Sequence, residues 1–391
     1  LFSWVDSRIE EQIRRILPEQ LFVTLSSELL PEIREYERGV ATWLNAWVGP
    51  LVDGYVKRLQ QQRPDASISI MQSSGDTSEA SRAGEQAVRM LLSGPAGGLV
   101  GAGYLGRLAR RKRLLTFDMG GTSTDVALID GEPRLTSEGH IGRWPVAVSM
   151  VDMHTIGAGG GSIAWLDSGG MLQIGPHSAG ADPGPACYGR EGRDVTVTDA
   201  NLLLGRLRAD AFLGGRMRLD GAAAAAVMQR LADAMHCSAQ EAALGIVSVA
   251  NEQMVQALRK ISIERGEDPR DHTLVSFGGA GGLHVCALAE LLGVAEAMVP
   301  VHAGVLSAVG MLATRPGRQL SHTWQGDLLK RDDARIDAAF DKLAVQAVRA
   351  LQGEGVAAAE IEIQRSLDLR YKGQSYTLNI PWSDGPGCAE A

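Results

Sequence analysis

Leu114-Leu115-Thr116-Phe117-Asp118-Met119-Gly120-Gly121-Thr122-Ser123-Thr124-Asp125 decides the fold of this chain. An apolar strand runs straight into two glycines, which are flanked by hydroxyls and enclosed by carboxylates. The glycines let the backbone turn tightly and bring N–H groups near phosphate oxygens. Thr122 and Thr124 add hydroxyl donors. Asp118, at the strand end, repels phosphate and suits a hydrated Mg²⁺, which takes few carboxylates and keeps several waters. An ordinary hairpin turn needs neither the hydroxyls nor both acids, so the segment reads as a phosphate loop. Asp125 to Ile129 returns as a second strand, and Asp130-Gly131 turns the chain toward a third near Arg134 to Thr136.

Working outward, Ser93-Gly94-Pro95-Ala96-Gly97-Gly98 leads into a helix rich in small residues. Each glycine inside a helix costs about 1 kcal/mol relative to alanine, so this composition points to close backbone approach. The basic run Arg107, Arg110, Arg111, Lys112 and Arg113 reads as a solvated helix end. On the N-terminal side, Asp6 to Leu17 has helical spacing. A long helix covers Glu35 to Arg63, broken or bent near Gly49-Pro50. Ser67 to Met71 alternates like a strand, and Ser78 to Leu92 reads as helical.

Toward the C-terminus, Val148 to Ile156 is a predicted strand. Gly157 to Gly161 is a glycine run, and Gly175 to Gly192 a long glycine- and proline-rich loop. Thr198 to Gly266 is mostly helical. His272 to Phe277 is a buried strand followed by Gly278-Gly279-Ala280-Gly281-Gly282 and a helix from Leu283. This second glycine turn can place backbone against a flat or anionic ligand. His284 there reads as a ligand or proton donor, or, as a lone histidine more often is, a structural hydrogen-bonder. Gly304 to Ala313 is a second small-residue helix. Ile336 to Leu351 is helical and Glu360 to Tyr371 a strand. In Asp152-Met153-His154 the acid and the histidine share a strand face. They form half a metal site, an acid–base pair or a structural hydrogen bond. His177, Asp182 and Asp199 are the candidates to complete a metal site.

The bulk properties narrow the classes. The net charge of −8, from 38 basic and 46 acidic residues in 391, gives no general attraction to nucleic acid. Four cysteines, Cys187, Cys237, Cys286 and Cys388, form no Cys-x-x-Cys pair, which argues against a zinc knuckle and fits a reducing cytoplasm. No uncharged apolar run reaches membrane-spanning length, so no membrane association is expected. The chain begins on Leu1 and ends just past a strand-like run, as expected of a piece of a longer protein.

Taken together, the small-residue helix after Ser93, Asp118 to Asp125, Met150 to Ala164, Gly180 to Gly189 and Phe277 to Gly281 resemble the hydantoinase A/5-oxoprolinase family. That family also includes subunits of ATP-dependent ketone carboxylases. The likeness runs from about Leu25 to Tyr376. It implies an α/β, actin-like ATPase (ribonuclease H-like) fold, with the C-terminal half of the core and part of the N-terminal half. Residues 1–92 would end the N-terminal half, 93–330 would carry the second phosphate loop and the adenosine loop, and 331–391 would begin a C-terminal α/β domain. The helices from Ala96 and Gly304 would meet as a hinge.

The resemblance further implies ATP and Mg²⁺ as cofactors, a small cyclic amide as substrate, and a hydantoinase B-like subunit or domain as partner, in an oligomer. Asp118 would hold the metal. Gly120, Gly121, Thr122 and Thr124 would hold phosphate, and Gly278, Gly279 and Gly281 would face the adenosine. Asp152 and His154 would act on substrate. The family's first Asp-x-Gly-Gly-Thr loop has no counterpart before Leu25, so this chain alone is expected to be inactive. Rival readings are ketone carboxylation, a non-catalytic ATP-binding protein, and a sugar or carboxylate kinase.

Overall fold

Strand β1 (Arg113–Met119) has Leu114, Leu115, Thr116, Phe117 and Met119 fully buried, so both of its faces are covered. A strand apolar on both sides belongs in the middle of a layered α/β structure. The computed structural model, which describes residues 3–382 apart from 19, 33, 143, 325, 375 and 376, puts it there. Cys388 and the Tyr376 end of the family likeness lie outside the described residues.

The central sheet adds β2 (Thr124–Asp130), β3 (Glu132–Pro133), β4 (Met153–Ile156), β5 (Thr273–Phe277) and β6 (Ala297–Met298). Its order is β4-β2-β1-β5-β6, with β3 paired beside β2. The first three strands in this order form an antiparallel meander, and β5 and β6 continue parallel from β1. This mixed sheet is that of an actin-like core.

Period-two alternation assigns each side chain to a layer. Leu115, Phe117, Met119, Val126, Leu128 and Leu274 face a core that includes Ala250, Met254 and Leu258 of the helix Ala239–Ser262. Leu114, Ala127, Ile129, Val275 and Phe277 face the opposite core with Ala96, Leu99 and Ala102. Those three belong to helix α1 (Ser93–Leu108). Helix α2 (Ala239–Ser262) starts at a Ser238/Glu241 capping box, which satisfies two otherwise orphaned donors.

Helix α1 crosses helix α3 (Leu306–Ala313) backbone to backbone. A Cβ on Gly101 would lie 2.7 Å from the Leu306 carbonyl oxygen, and one on Gly97 2.9 Å from that of Ser307. A Cβ on Gly310 would run into the Gly97 carbonyl and lie 2.7 Å from the Gly101 nitrogen. This is the close approach that the glycine content of both helices predicts.

Before the sheet, Val40, Ala41 and Leu44 of the helix Glu35–Gln62 pack on Leu29, Leu30 and Val88. Val146 to Val148, from the excursion between β3 and β4, close the same cluster. The long helix continues through Gly49-Pro50, where the sequence predicts a break or a bend. Gly49 lies under the Phe22 ring, where a Cβ would lie 2.5 Å from Cε1.

Ser78 to Leu92 is not one helix. It forms a short strand, Thr77–Glu79, and two 3₁₀ turns, Ala80–Arg82 and Ala87–Met90. Gly84 between the turns presses on Asp53, where a Cβ would lie 2.7 Å from the Asp53 Cβ. The expected strand from Glu360 shortens to Ser366–Leu369, which pairs with Leu378–Pro381. In the basic run, Arg107, Arg111 and Arg113 pair with Glu132, Glu296 and Asp271 at the surface.

Gly310→Ala should lower unfolding free energy by at least about 2 kcal/mol, because the added methyl meets backbone that cannot rotate away. Denaturant unfolding of the two proteins checks this; a loss under about 0.5 kcal/mol would mean the helices part freely.

Candidate functional site

The β1–β2 hairpin carries the loop Gly120–Ser123. Inside it the Gly120 N–H donates to the Ser123 carbonyl at 3.0 Å. Its outer carbonyls are tied backward: Gly160 N–H donates to Gly120 O at 3.0 Å and Gly161 N–H to Gly121 O at 2.6 Å. The glycine run thus lies directly behind the loop. A Cβ on Gly159 would come within 2.7 Å of the Gly121 and Thr122 backbone. The Gly121 and Thr122 amides donate to nothing among the described residues, and both residues are exposed. Carbonyls held back and amides turned to solvent make an anion cradle.

Asp118 and Asp125 pair across the hairpin and share the α1 face of the sheet. Pro95, Leu99, Met153 and Phe277 enclose them in a narrow crevice. Thr155 donates to Asp125 Oδ1 at 2.6 Å, whereas Asp118 accepts no hydrogen bond among the described residues. Burial, and then the Asp125 charge, push the Asp118 carboxyl up to about 6. Burial also raises Asp125, against the Thr155 bond. Among the described residues no ion pair offsets these two carboxylates. The pair fits Mg²⁺, a hard ion that keeps waters and takes one or two carboxylates. Among the described residues no three His, Cys, Asp or Glu side chains converge on a metal position.

Thr124 does not join this cradle. It is fully buried on the other face, and its hydroxyl donates to the Ala158 carbonyl, tying β2 to the glycine run. The second glycine turn also divides its labour. Gly278, at φ +80°, leaves no room for a Cβ, which would lie 2.5 Å from the Met119 carbonyl and touch Asp118. Gly281 is buried over Ser276 and the Phe117 ring. Only Gly279 of the three is exposed with open space above it. Gly278 and Gly281 therefore position a turn that exposes Gly279.

Asp152 and His154 do share a face, as the alternation predicts, but it is the α2 face, across the sheet from Asp118. Asp152 is held in an ion pair with Arg265, just beyond α2. His154 sits opposite Val126 on β4. The three residues considered as completing a metal site with them do not assemble. His177 is exposed in the strand Leu172–Ser178, which takes up the start of the expected Gly175 to Gly192 loop, and Asp182 is exposed in the loop that follows. Asp199 is fully buried, accepting from the Cys187 N–H at 2.8 Å and from the Thr196 N–H at 3.0 Å in a helix-capping box.

His284 is fully buried and structural. Its Nδ1 donates to Asn251 Oδ1 at 2.6 Å, and its Nε2 lies 3.4 Å from the Asn201 amide nitrogen. Burial, with the Arg206 charge, brings its pKa down to about 4, so the ring is neutral at pH 7. Asp125 and Thr155 join the site without being candidates on sequence grounds. The symmetric placement of two acids around the loop is the signal for Asp125; nothing local marks Thr155.

The sheet order, the crossed small-residue helices and the loop at the β1–β2 turn define an α/β protein of the actin-like ATPase class. The hydantoinase/oxoprolinase family profile matches residues 38–319, and the chain belongs to that family. It is 36% identical to caprolactamase subunit alpha of Pseudomonas jessenii, over 97% of this chain and 56% of that one. It is 34% identical to 5-oxoprolinase 1 of Arabidopsis thaliana, over 97% of this chain and 32% of that one. The crystal structure of the ATP-dependent caprolactamase from P. jessenii superposes with TM-score 0.85 at 35% identity, covering 97% of this chain and 56% of that one. Nucleotide-free acetone carboxylase, described for ATP-dependent acetone carboxylation, gives 0.76 at 27% identity with the same coverages. The chain thus spans from about a third to somewhat over half the length of these relatives.

The Asp118 shift has a definite sign. Its carboxyl holds a proton more tightly folded than unfolded, so its contribution to stability is complete below about pH 4 and is lost as pH rises through 6. Asp118→Asn should therefore match the parent at about pH 4 and exceed it by about 1 kcal/mol at pH 7, a figure discounted for partial exposure. Melting curves across this range test it; equal stability at both pH values would rule out the unfavourable ionisation.

Proposed function

We propose that this chain carries the phosphate- and metal-binding part of an ATP-dependent hydrolase acting on cyclic amides. The observation that supports it most is the pair of free amides at Gly121 and Thr122 beside the Asp118–Asp125 carboxylates. Phosphoryl transfer needs positioning and charge neutralisation more than covalent chemistry from the protein. Gly121 and Thr122 would bind phosphate oxygens through N–H groups and the Thr122 hydroxyl. Asp118 and Asp125 would hold Mg²⁺, which when bound neutralises phosphate charge. The exposed backbone at Gly279, opposite β1, would lie against the adenosine.

In the proposed reaction the lactam oxygen takes the γ-phosphoryl group of ATP and ADP leaves. Water then attacks the activated carbon and the ring C–N bond breaks, leaving an acyl phosphate, which a second water hydrolyses to the carboxylate and phosphate. The name "subunit alpha" of the caprolactamase relative supports a second, hydantoinase B-like subunit or domain for the hydrolytic half. We read the assembly as an oligomer and its location as cytoplasmic; among the described residues no helix is long and apolar enough to cross a membrane. ATP-dependent ketone carboxylation is the second reading, favoured by the likeness to acetone carboxylase.

Phosphate release from ATP by the protein with its partner subunit tests the proposal, using caprolactam, 5-oxoproline, a hydantoin, and acetone with bicarbonate. Lactam-dependent release is expected, and Asp118→Asn should lower kcat/KM by about 100-fold or more. Release that depends only on acetone and bicarbonate would favour carboxylation. Release that no substrate stimulates, or that survives Asp118→Asn, would reject the reading.

A further inference from the structure

Four residues stand in one row across the sheet: Thr155 on β4, Asp125 on β2, Asp118 on β1 and Phe277 on β5, each in register with the next. Directly opposed residues share a face, so the row lies on the crevice side of the sheet. Its two ends differ. At one end the Thr155 hydroxyl donates to Asp125 Oδ1 at 2.6 Å. At the other end Phe277 offers only a buried ring, fixed against α1, where a Cβ on Gly98 would lie 2.6 Å from its Cε2. Asp118 thus stands between that ring and Asp125, and accepts no hydrogen bond among the described residues. The two acids are chemically alike but are held unequally.

The hydroxyl that holds Asp125 is itself well fixed. Threonine is stiff at χ1, and the pairing of β4 with β2 sets its backbone. One lone pair of Asp125 Oδ1 is thereby occupied and the carboxylate is kept from turning. Its Oδ2 is the oxygen left free to meet a cation. The crevice has about 10 Å³ of free space, room for about one water-sized sphere.

We infer that Thr155 is a positioning residue that makes Asp125 a one-oxygen ligand, and that this selects Mg²⁺ over Ca²⁺ at the acid pair. This role rests on the Mg²⁺ reading of that pair. Mg²⁺ demands near-ideal octahedral geometry, keeps several waters and takes few carboxylates. Ca²⁺ takes about six to eight oxygens in flexible geometry and accepts a carboxylate through both of its oxygens. A carboxylate pinned on one oxygen suits the first ion and handicaps the second. The exposed Thr155 oxygen can also accept from a metal-bound water. Valine has the shape of threonine without its donor, so Thr155→Val would release Oδ1 and let the carboxylate turn.

Mn²⁺ binding followed by electron paramagnetic resonance tests this, with Mg²⁺ and Ca²⁺ as competitors and neither nucleotide nor substrate present. The parent should bind Mg²⁺ at least about tenfold more tightly than Ca²⁺. Thr155→Val should weaken Mg²⁺ by about tenfold, as loss of a hydrogen-bond partner to a metal ligand commonly does, and change Ca²⁺ by less than about twofold. Thr155→Ser, which keeps the hydroxyl, should stay close to the parent for both ions. A purely structural role would lower the melting temperature of Thr155→Val and leave the Mg²⁺ to Ca²⁺ ratio unchanged. That result, a parent that binds Ca²⁺ as tightly as Mg²⁺, or equal losses of both ions in Thr155→Val would overturn the role of Thr155. In each of these cases, Mn²⁺ binding that disappears in Asp118→Asn leaves the metal reading standing. A parent that binds no Mn²⁺, or binding that survives Asp118→Asn, would reject the metal reading and the role of Thr155 with it.

Discussion

Gly159 lies with its bare Cα against the backbone of Gly121 and Thr122, and the rest of the site depends on that contact. Two loops can stack backbone on backbone only where no Cβ intervenes. Once stacked, Gly160 and Gly161 take the carbonyls of Gly120 and Gly121, so the amides face outward by default. The rear loop is itself anchored twice more. The Thr124 hydroxyl holds Ala158, and the Thr198 hydroxyl reaches the Gly160 carbonyl at 2.8 Å. Thr198 in turn opens a helix whose capping box uses Asp199, and Asp199 also holds the loop at Ala186 and Cys187. A chain of local bonds thus connects the exposed cradle to the helical layer.

The acid pair works against this order. Asp118 and Asp125 are brought together by strand register, and neither can avoid the other without breaking the β1–β2 ladder. Gly278 closes over Asp118 so tightly that no larger residue fits, which limits the water that could relieve the charge. Desolvated like charges are unfavourable in the absence of a cation. Sites that hold such charge give up stability for function, and the two apolar layers on either side of β1 offset the loss.

Much of this is legible in the residues. A strand apolar on both faces, followed by glycines and hydroxyls, marks the centre of the sheet and its loop. The small-residue helices mark their own contact, since only glycine and alanine allow it. Ser78 to Leu92 misleads because its buried alanines, Ala80, Ala83 and Ala87, mimic helical spacing while Gly84 must touch Asp53. Thr124 misleads for a different reason. Alternation puts it on the opposite face from Asp118, a parity that counting along the strands and the hairpin reveals. Gly278 and Gly281 read as ligand contacts along the chain, but their missing side chains serve packing, a distinction that needs the third dimension. The ion pair of Arg265 with Asp152, more than a hundred residues apart, has no local signature at all.

Parity also explains how the two faces of the sheet come to do different work. Along β2, Asp125 faces the crevice and Thr124 and Val126 face the helical layer; along β4, Thr155 and His154 divide the same way. Adjacent residues therefore serve opposite faces, yet they lie on the same two strands and meet in the same Gly157–Gly161 loop. That loop has the Ala158 methyl as its one side chain, so its backbone is shared by both faces. The glycines that build the anion cradle thereby also tie it to strands that serve both faces of the sheet.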